Sequence, residues 1–216
     1  MYCRRALGLP MTELVAVILA GGDGCRIGGG KPNIRLDGRR LIDHAIDHVA
    51  EWRIPARLSV REPGQVYPAR LPEVVDDPRI EGPLGGLLGA LAWAVAFGAR
   101  RVITVPCDMP YLPCDLKTRL DAMAVQFDQP AVATSLQRRH PVCSVWPVRC
   151  LGPLQSYANS GRRSLNGALE RCAAVSVDWS VQDGRDPFYN INTSGDLARV
   201  SRSINTSLSG SEGVAS

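Results

Sequence analysis

Two short stretches concentrate the residue types that handle phosphate. From Gly21 to Lys31 six residues are glycine, and Arg26 and Lys31 stand among them. Further on, Asp108 is set between Pro106 and Pro110. A glycine-rich turn lets backbone N–H groups close on a phosphate and adopt positive φ without steric cost. Arg26 and Lys31 supply the positive charge that a polyphosphate needs. A carboxylate fixed by flanking prolines can hold Mg²⁺ against triphosphate oxygens. The spacing fits neither common glycine loop. The P-loop pattern needs Ser or Thr after Gly-Lys and a glycine five positions before, where this chain has Pro32 and Cys25. The dinucleotide fingerprint begins at Gly22-Asp23-Gly24 but meets Ile27 where its third glycine belongs. The run reads as a nucleoside-triphosphate-binding loop of another kind.

These residues need rigid elements to hold them. Val15 to Leu19 and Val102 to Val105 are continuous β-branched and apolar runs, the pattern of strands buried on both faces of a parallel sheet. Each ends where the chemistry begins, and open parallel sheets bind ligands beyond the carboxyl ends of their strands. Between and after them the pattern predicts helices over 40–52, from past Leu87 to Phe97 and over 113–125, strands over 56–60, 73–77 and 131–134, and a second close-approach loop at Gly82-Pro83 and Gly85-Gly86. A strand ending near Trp146 follows, then helices over 149–157 and from the Ser160–Arg163 cap to Cys172, and a strand over 175–179. His44, His48 and Glu51 share one helical face and read as a solvated polar stripe opposite Ile42, Ala45, Ile46 and Val49. Asn190 and Asn192 alternate onto one side of an extended segment, and Thr193 with Asp196 forms a capping box for a last helix. The fold class is α/β: one three-layer sandwich, a mostly parallel sheet with helices on both faces. The expected boundaries are an N-terminal extension at 1–11, a domain at 12–200, and a disordered Ser/Gly-rich tail at 201–216.

Composition narrows the class. The 216 residues, 45% hydrophobic and 21% charged, can bury a substantial core. The net charge of +4 suits an anionic small molecule, but no dense Lys/Arg block marks a nucleic-acid binder. No run of ~20 apolar residues marks a membrane span. Seven cysteines without a C-x-x-C pair point to neither a disulfide framework nor a zinc site, so a reduced cytoplasmic setting is expected.

The spacing L-A-G-G-x-x-x-R-I-G-G-x-K, from Leu19 to Lys31, resembles the molybdenum cofactor guanylyltransferases. So do V-P-C-D-M-P around Asp108, H-P-V at His140 and F-x-N-x-N-T from Phe188 to Thr193, in that order. The resemblance implies a nucleotide-diphospho-sugar-transferase-like (Rossmann-like) fold and transfer of GMP from GTP to molybdopterin. It implies nucleotide contacts at Leu19, Ala20, Gly21, Gly22, Lys31, Ser59, Asp77 and Asp108, with Asp76 the alternative register to Asp77. Ser59 stands where the family carries a base-recognising asparagine. Lys31, Arg26 and Asp108 would carry the chemistry, with Asp108 the Mg²⁺ ligand. Gly82, Pro83, His140, Asn190 and Asn192 would face the acceptor. A monomer is expected, in transient contact with molybdenum-insertion or molybdoenzyme-maturation proteins.

Rival readings are a cytidylyltransferase acting on the same pterin, a sugar-phosphate nucleotidyltransferase and a non-catalytic nucleotide-binding module. A nicotinamide-dependent oxidoreductase needs an acid at the end of the second strand, about 20 residues past the glycines. Asp43 and Asp47 fall inside a predicted helix instead.

Overall fold

The computed structural model describes residues 12–21, 31–181, 186–191 and 196. The extension at 1–11, Gly22, Arg26, the Lys31 side chain, Asn192 with the Thr193 cap, and the tail at 201–216 lie outside the described residues. The first strand, β1 (Thr12–Leu19), is the expected apolar run, and Val15 to Ile18 are fully buried. After a 3-10 turn at Lys31–Asn33 comes a small hairpin of β2 (Arg35–Leu36) and β3 (Arg39–Arg40). It turns on Asp37-Gly38, with positive φ of 49° and 81°, a dipeptide suited to such turns.

The helix α1 (Leu41–Ala50) follows at once and buries Leu41, Ile42, Ala45, Ile46 and Val49. Then come β4 (Ala56–Val60), β5 (Glu73–Val75) and α2 (Pro83–Phe97). Pro83 in the first turn of α2 and Gly98 past its end, at φ 83°, bound the helix at both ends. The chain continues through β6 (Ala99–Pro106), α3 (Leu116–Phe127), β7 (Ala131–Ser135) and β8 (Arg138–Pro147). It closes with α4 (Leu151–Asn159), α5 (Leu165–Arg171) and β9 (Val175–Asp178).

Three helix starts differ from expectation. The helix α2 starts at Pro83 and takes in Gly85 and Gly86, which read as a loop in the sequence. The helix α3 starts at Leu116, because Pro113 instead accepts the Leu116 N–H at 3.0 Å in a turn ahead of it. Ser160 closes α4, and Gly161 at φ 84° reverses the chain there. The cap of α5 is Ser164, which accepts from the Gly167 N–H at 3.4 Å.

The seven strands run in the order β5-β4-β1-β6-β8-β7-β9. Only β8 is antiparallel to its neighbours; the other pairings are parallel. Alternate side chains of β1 serve opposite faces. Leu14, Ala16 and Ile18 join the cluster with α1 and α3, while Val15 and Val17 join the one with α2, α4 and α5. The result is the three-layer sandwich expected from the sequence. Because Leu91 of α2 is fully buried between sheet and α4, Leu91→Ala should destabilise the protein by about 2–5 kcal/mol through the cavity it leaves. Urea unfolding measures this, and an unchanged midpoint would contradict the central placement of α2.

Candidate active site

The chain leaves β1 outward through β4 to β5, then returns to lay β6 on the other side of β1. That reversal opens a crevice at the carboxyl ends of β1 and β6, the place where open α/β sheets bind ligands. Register brings the candidate residues there side by side. Leu19 lies opposite Ser59 on β4 and opposite Pro106 on β6. The Ala20 N–H donates to the Ser59 carbonyl at 2.9 Å, so Gly21 leaves the sheet between the two flanking strands.

On the β4 side, the Ser59 hydroxyl is only 1% exposed and donates to Asp76. A Cβ on Gly21 would overlap the Asp76 carboxylate, so glycine is what lets that acid lie against the start of the loop. Gly86, in the first turns of α2, makes the same allowance: a Cβ there would meet Ser59 Oγ at 2.8 Å and Leu19 at 3.3 Å. Gln65 completes this corner. Its Nε2 donates to the Ala20 carbonyl at 3.3 Å, and its Oε1 accepts from the Arg61 N–H at 2.8 Å. Burial raises the Asp76 pKa, against the lowering effects of Ser59 and Arg61.

Of the two adjacent acids, the one brought to Gly21 is therefore Asp76. Asp77 lies on the other side of the chain, in a two-point pair with Arg79 at 3.0 and 2.7 Å that lowers its pKa. The Ser59 hydroxyl, expected to face a base, is committed to Asp76 instead. Nothing in the sequence separates Asp76 from Asp77 except the exact end of β5. Gly82 and Pro83 begin α2 on this same edge, with Gly82 at φ 79°.

Across the crevice, Asp108 follows β6 and is 7% exposed. Its carbonyl accepts the Ile191 N–H at 3.0 Å, which ties the segment at 186–191 to the rim. Cys107 packs in the core. Burial first, and Asp108 second, push the Cys143 thiol well above its ordinary range, so it stays a thiol and not a nucleophilic thiolate.

The edge continues past β6. Between β7 and β8 the pairing jumps from Val132–Ser144 to Ala133–His140, a bulge that brings His140 to the rim beside Ser135. Ser135 Oγ lies 2.7 Å from His140 Nε2 and donates to Asp186 Oδ1 at 2.8 Å. The His140 ring stacks on Phe188 at 4.5 Å and 15°, and Trp179 meets Phe188 edge-on. Burial lowers the His140 pKa, and Arg138 adds to this while Asp186 opposes it. Asn190 lies in the same segment as Phe188. Ser135 and Asp186 are absent from the sequence reading because they lie 51 positions apart; the one signal was a polar residue closing an apolar strand.

The two other polar clusters serve differently. His44 Nε2 lies 3.3 Å from the Leu36 carbonyl, and His48 packs edge-on against Trp52. A cavity of about 400 Å³ lined by Cys150, Cys172, Arg149 and Arg171 lies at the opposite edge of the sheet, away from Asp108.

An open, mostly parallel sheet with Gly21 leaving it at the switch point and the buried Asp108 at the end of the neighbouring strand is the arrangement of a nucleotidyltransferase-type α/β domain. Residues 16–175 match the MobA-like NTP transferase domain, and the chain belongs to that family. It is 34% identical over 200 residues to a molybdenum cofactor guanylyltransferase of Sinorhizobium fredii, covering 88% of this chain and 91% of that protein. It is 37% identical over 198 residues to the molybdenum cofactor guanylyltransferase of a Bradyrhizobium species, covering 88% and 93%. In fold it is similar to the molybdopterin-guanine dinucleotide biosynthesis protein A of Archaeoglobus fulgidus, with a TM-score of 0.73 at 22% identity over 89% of this chain and 99% of that one.

The environment of Asp76 has a measurable sign. Its folded pKa lies above the ordinary 3.8, so the folded state binds the extra proton between those two values. Stability therefore falls as pH rises through that window, and the cost of the buried charge is complete above it. Asp76→Asn keeps an oxygen for Ser59 and removes the charge. It should melt higher than the wild type at pH 8, and a lower melting temperature there would contradict the assignment.

Proposed function

We propose that this chain transfers GMP from GTP to molybdopterin, forming molybdopterin guanine dinucleotide and releasing diphosphate. The observation that carries the reading is the register placing Gly21 and Asp108 on either side of one crevice, Leu19 opposite Pro106. Membership of the MobA-like family and the names of the relatives support the substrates.

In the reaction, an oxygen of the molybdopterin phosphate bonds to the α-phosphorus of GTP while the bond to the β-phosphate oxygen breaks. The attacking phosphate is already ionised at neutral pH, so the site needs no general base. Catalysis then consists of positioning and charge stabilisation. Backbone N–H groups from Gly21 and Gly22 onward would cradle the phosphates. Arg26 and Lys31 would balance their charge. Asp108 would hold Mg²⁺, which takes one or two carboxylates and completes its shell with phosphate oxygens and water. Asp108, a buried hard-oxygen donor at the end of β6 beside the end of β1, fits that requirement. When bound, the ion neutralises charge on the transferring and leaving phosphates.

The Ala20 carbonyl, Gln65, Asp76 and Arg61 form the corner where the nucleotide would be read, with Ser59 orienting Asp76. The edge from Asp108 to His140 and Asn190 would receive the acceptor, whereas Gly82-Pro83, expected to face it, starts α2 on the β4 side beside the nucleotide corner. Asp77, held by Arg79, has no part in this version of the site. The described cysteines are free thiols, which suits a reducing cytoplasmic compartment. There the enzyme would act as a monomer and pass its product on through transient contact with maturation proteins.

The test is diphosphate release with GTP, CTP or ATP, with and without molybdopterin. Turnover should require molybdopterin and prefer GTP; equal turnover of CTP would replace the guanylyl by the cytidylyl reading. In the same assay Asp108→Asn should lose roughly 10²–10³-fold in rate while its melting curve stays close to the wild type's. Near-normal turnover in a well-folded Asp108→Asn protein would remove Asp108 from the mechanism.

A further inference from the structure

Beyond the nucleotide corner, the acceptor half of the edge contains a hydrogen-bonded chain whose direction can be worked out from its donors. Asp186 Oδ1 accepts twice, from the Phe188 N–H at 3.0 Å and from the Ser135 hydroxyl at 2.8 Å. A carboxylate in this arrangement only accepts, and a serine hydroxyl has one proton to give. That proton goes to Asp186. At 2.7 Å from His140 Nε2, the Ser135 oxygen can then only accept, so Nε2 must carry the ring proton. Ser135 is fully buried, and a turn of the imidazole about Cβ–Cγ would put a ring carbon where Nε2 meets it, so this contact holds the ring's orientation while Phe188 covers one face.

We propose that Asp186 and Ser135 are positioning residues that fix His140 as the Nε2–H tautomer, so that its bare Nδ1 accepts a hydrogen bond from an N–H of the acceptor's pterin ring. This rests on reading the edge beside Asp108 as the acceptor side. A pterin presents ring N–H and amino groups, and an acceptor nitrogen held in one orientation rejects a ligand lacking the matching donor. The ring is neutral at pH 7, as the role requires. Burial and Arg138 outweigh the pull of Asp186, and Asp178 at the end of β9 is occupied by the Thr134 hydroxyl. The arrangement resembles a metal-site histidine whose outer partner sets which nitrogen is free, here with a substrate donor in place of the metal.

Two measurements test this. The first is the ¹⁵N chemical shifts of the three histidines of the whole protein, with His140 assigned by the loss of its signals in His140→Gln. In the wild type, Nε2 should show the protonated shift and Nδ1 the bare one, and molybdopterin alone should move Nδ1. A protonated Nδ1, or an Nδ1 signal unmoved at saturating molybdopterin, overturns the proposal. The second is steady-state kinetics. Ser135→Ala should raise the KM for molybdopterin about three- to tenfold, the effect of losing one oriented hydrogen bond. The KM for GTP and kcat at saturating acceptor should stay within about twofold.

Asp186→Asn is the control, because its amide oxygen remains pinned by the Phe188 N–H and still accepts from Ser135. It should keep the wild-type tautomer and KM, whereas Asp186→Ala should behave as Ser135→Ala does. Ser135→Ala or Asp186→Ala with unchanged acceptor KM, or with kcat falling alone, contradicts the role. Wild-type protein that releases no diphosphate from GTP and molybdopterin would instead refute the proposed function, and the ring-nitrogen shifts still judge the tautomer.

Discussion

The site depends on the register of β1 between its two parallel neighbours. Leu19 is the last residue of the strand, and it faces Ser59 on one side and Pro106 on the other. A slip of one residue would turn Val15 and Val17 toward α1 and α3 and move Gly21 off the crevice. The slip is disfavoured because both faces of β1 are fully buried against different helices. Three glycines of α2 tighten the arrangement. A Cβ on Gly89 would meet the Val75 carbonyl at 2.6 Å, and one on Gly85 would overlap the Ile80 carbonyl. The helix can therefore lie directly on the end of β5, and that contact holds Asp76 beside Gly21.

Charge decides how such an edge can work. A triphosphate and an acceptor phosphate would bring a dense negative charge to a crevice already holding Asp76 and Asp108. Burial raises the Asp76 pKa, which shows how poorly the folded protein solvates a carboxylate there. Cations must offset this charge, and in the proposed mechanism Arg26, Lys31 and Mg²⁺ do so. The acceptor half solves a different problem. It uses a stacked imidazole and a hydroxyl, both neutral and oriented by the Asp186 carboxylate behind them, which suits a heterocycle to be recognised by shape and hydrogen bonding. The chemistry thus changes along one sheet edge, from charge near β1 and β6 to oriented neutral dipoles near β8 and β7.

Much of this could be read from the chain before any coordinates. Buried parallel strands need uninterrupted apolar runs, which is why β1 and β6 and the residues closing them were legible. The start of α2 was not legible, because Gly82-Pro83 and Gly85-Gly86 read as a loop, whereas Pro83 opens the helix and its glycines let it close on the strand ends. What escaped depended on a single residue's register or on distant pairs. Whether Asp76 or Asp77 faces inward turns on where β5 ends. Ser160 and Ser164 are both competent caps, and Gly161 decided between them by ending α4. The link from Asp186 through Ser135 to His140 joins three segments and leaves no periodic trace. Ser59 was legible as a site position but not in its role, because its hydroxyl is taken by an acid 17 residues away.

The central claim is that one sheet edge is divided, with the nucleotide at β4, β1 and β6 and the acceptor at β8, β7 and the 186–191 segment. Hydrogen–deuterium exchange of the full chain, with GTP alone and with molybdopterin alone, tests it most directly. GTP should slow exchange at Ala20-Gly21 and the residues around Gln65 and Asp76, leaving 135–140 and 186–191 unchanged. Molybdopterin should do the reverse. Protection of the same peptides by both ligands, or of neither half, would contradict the account.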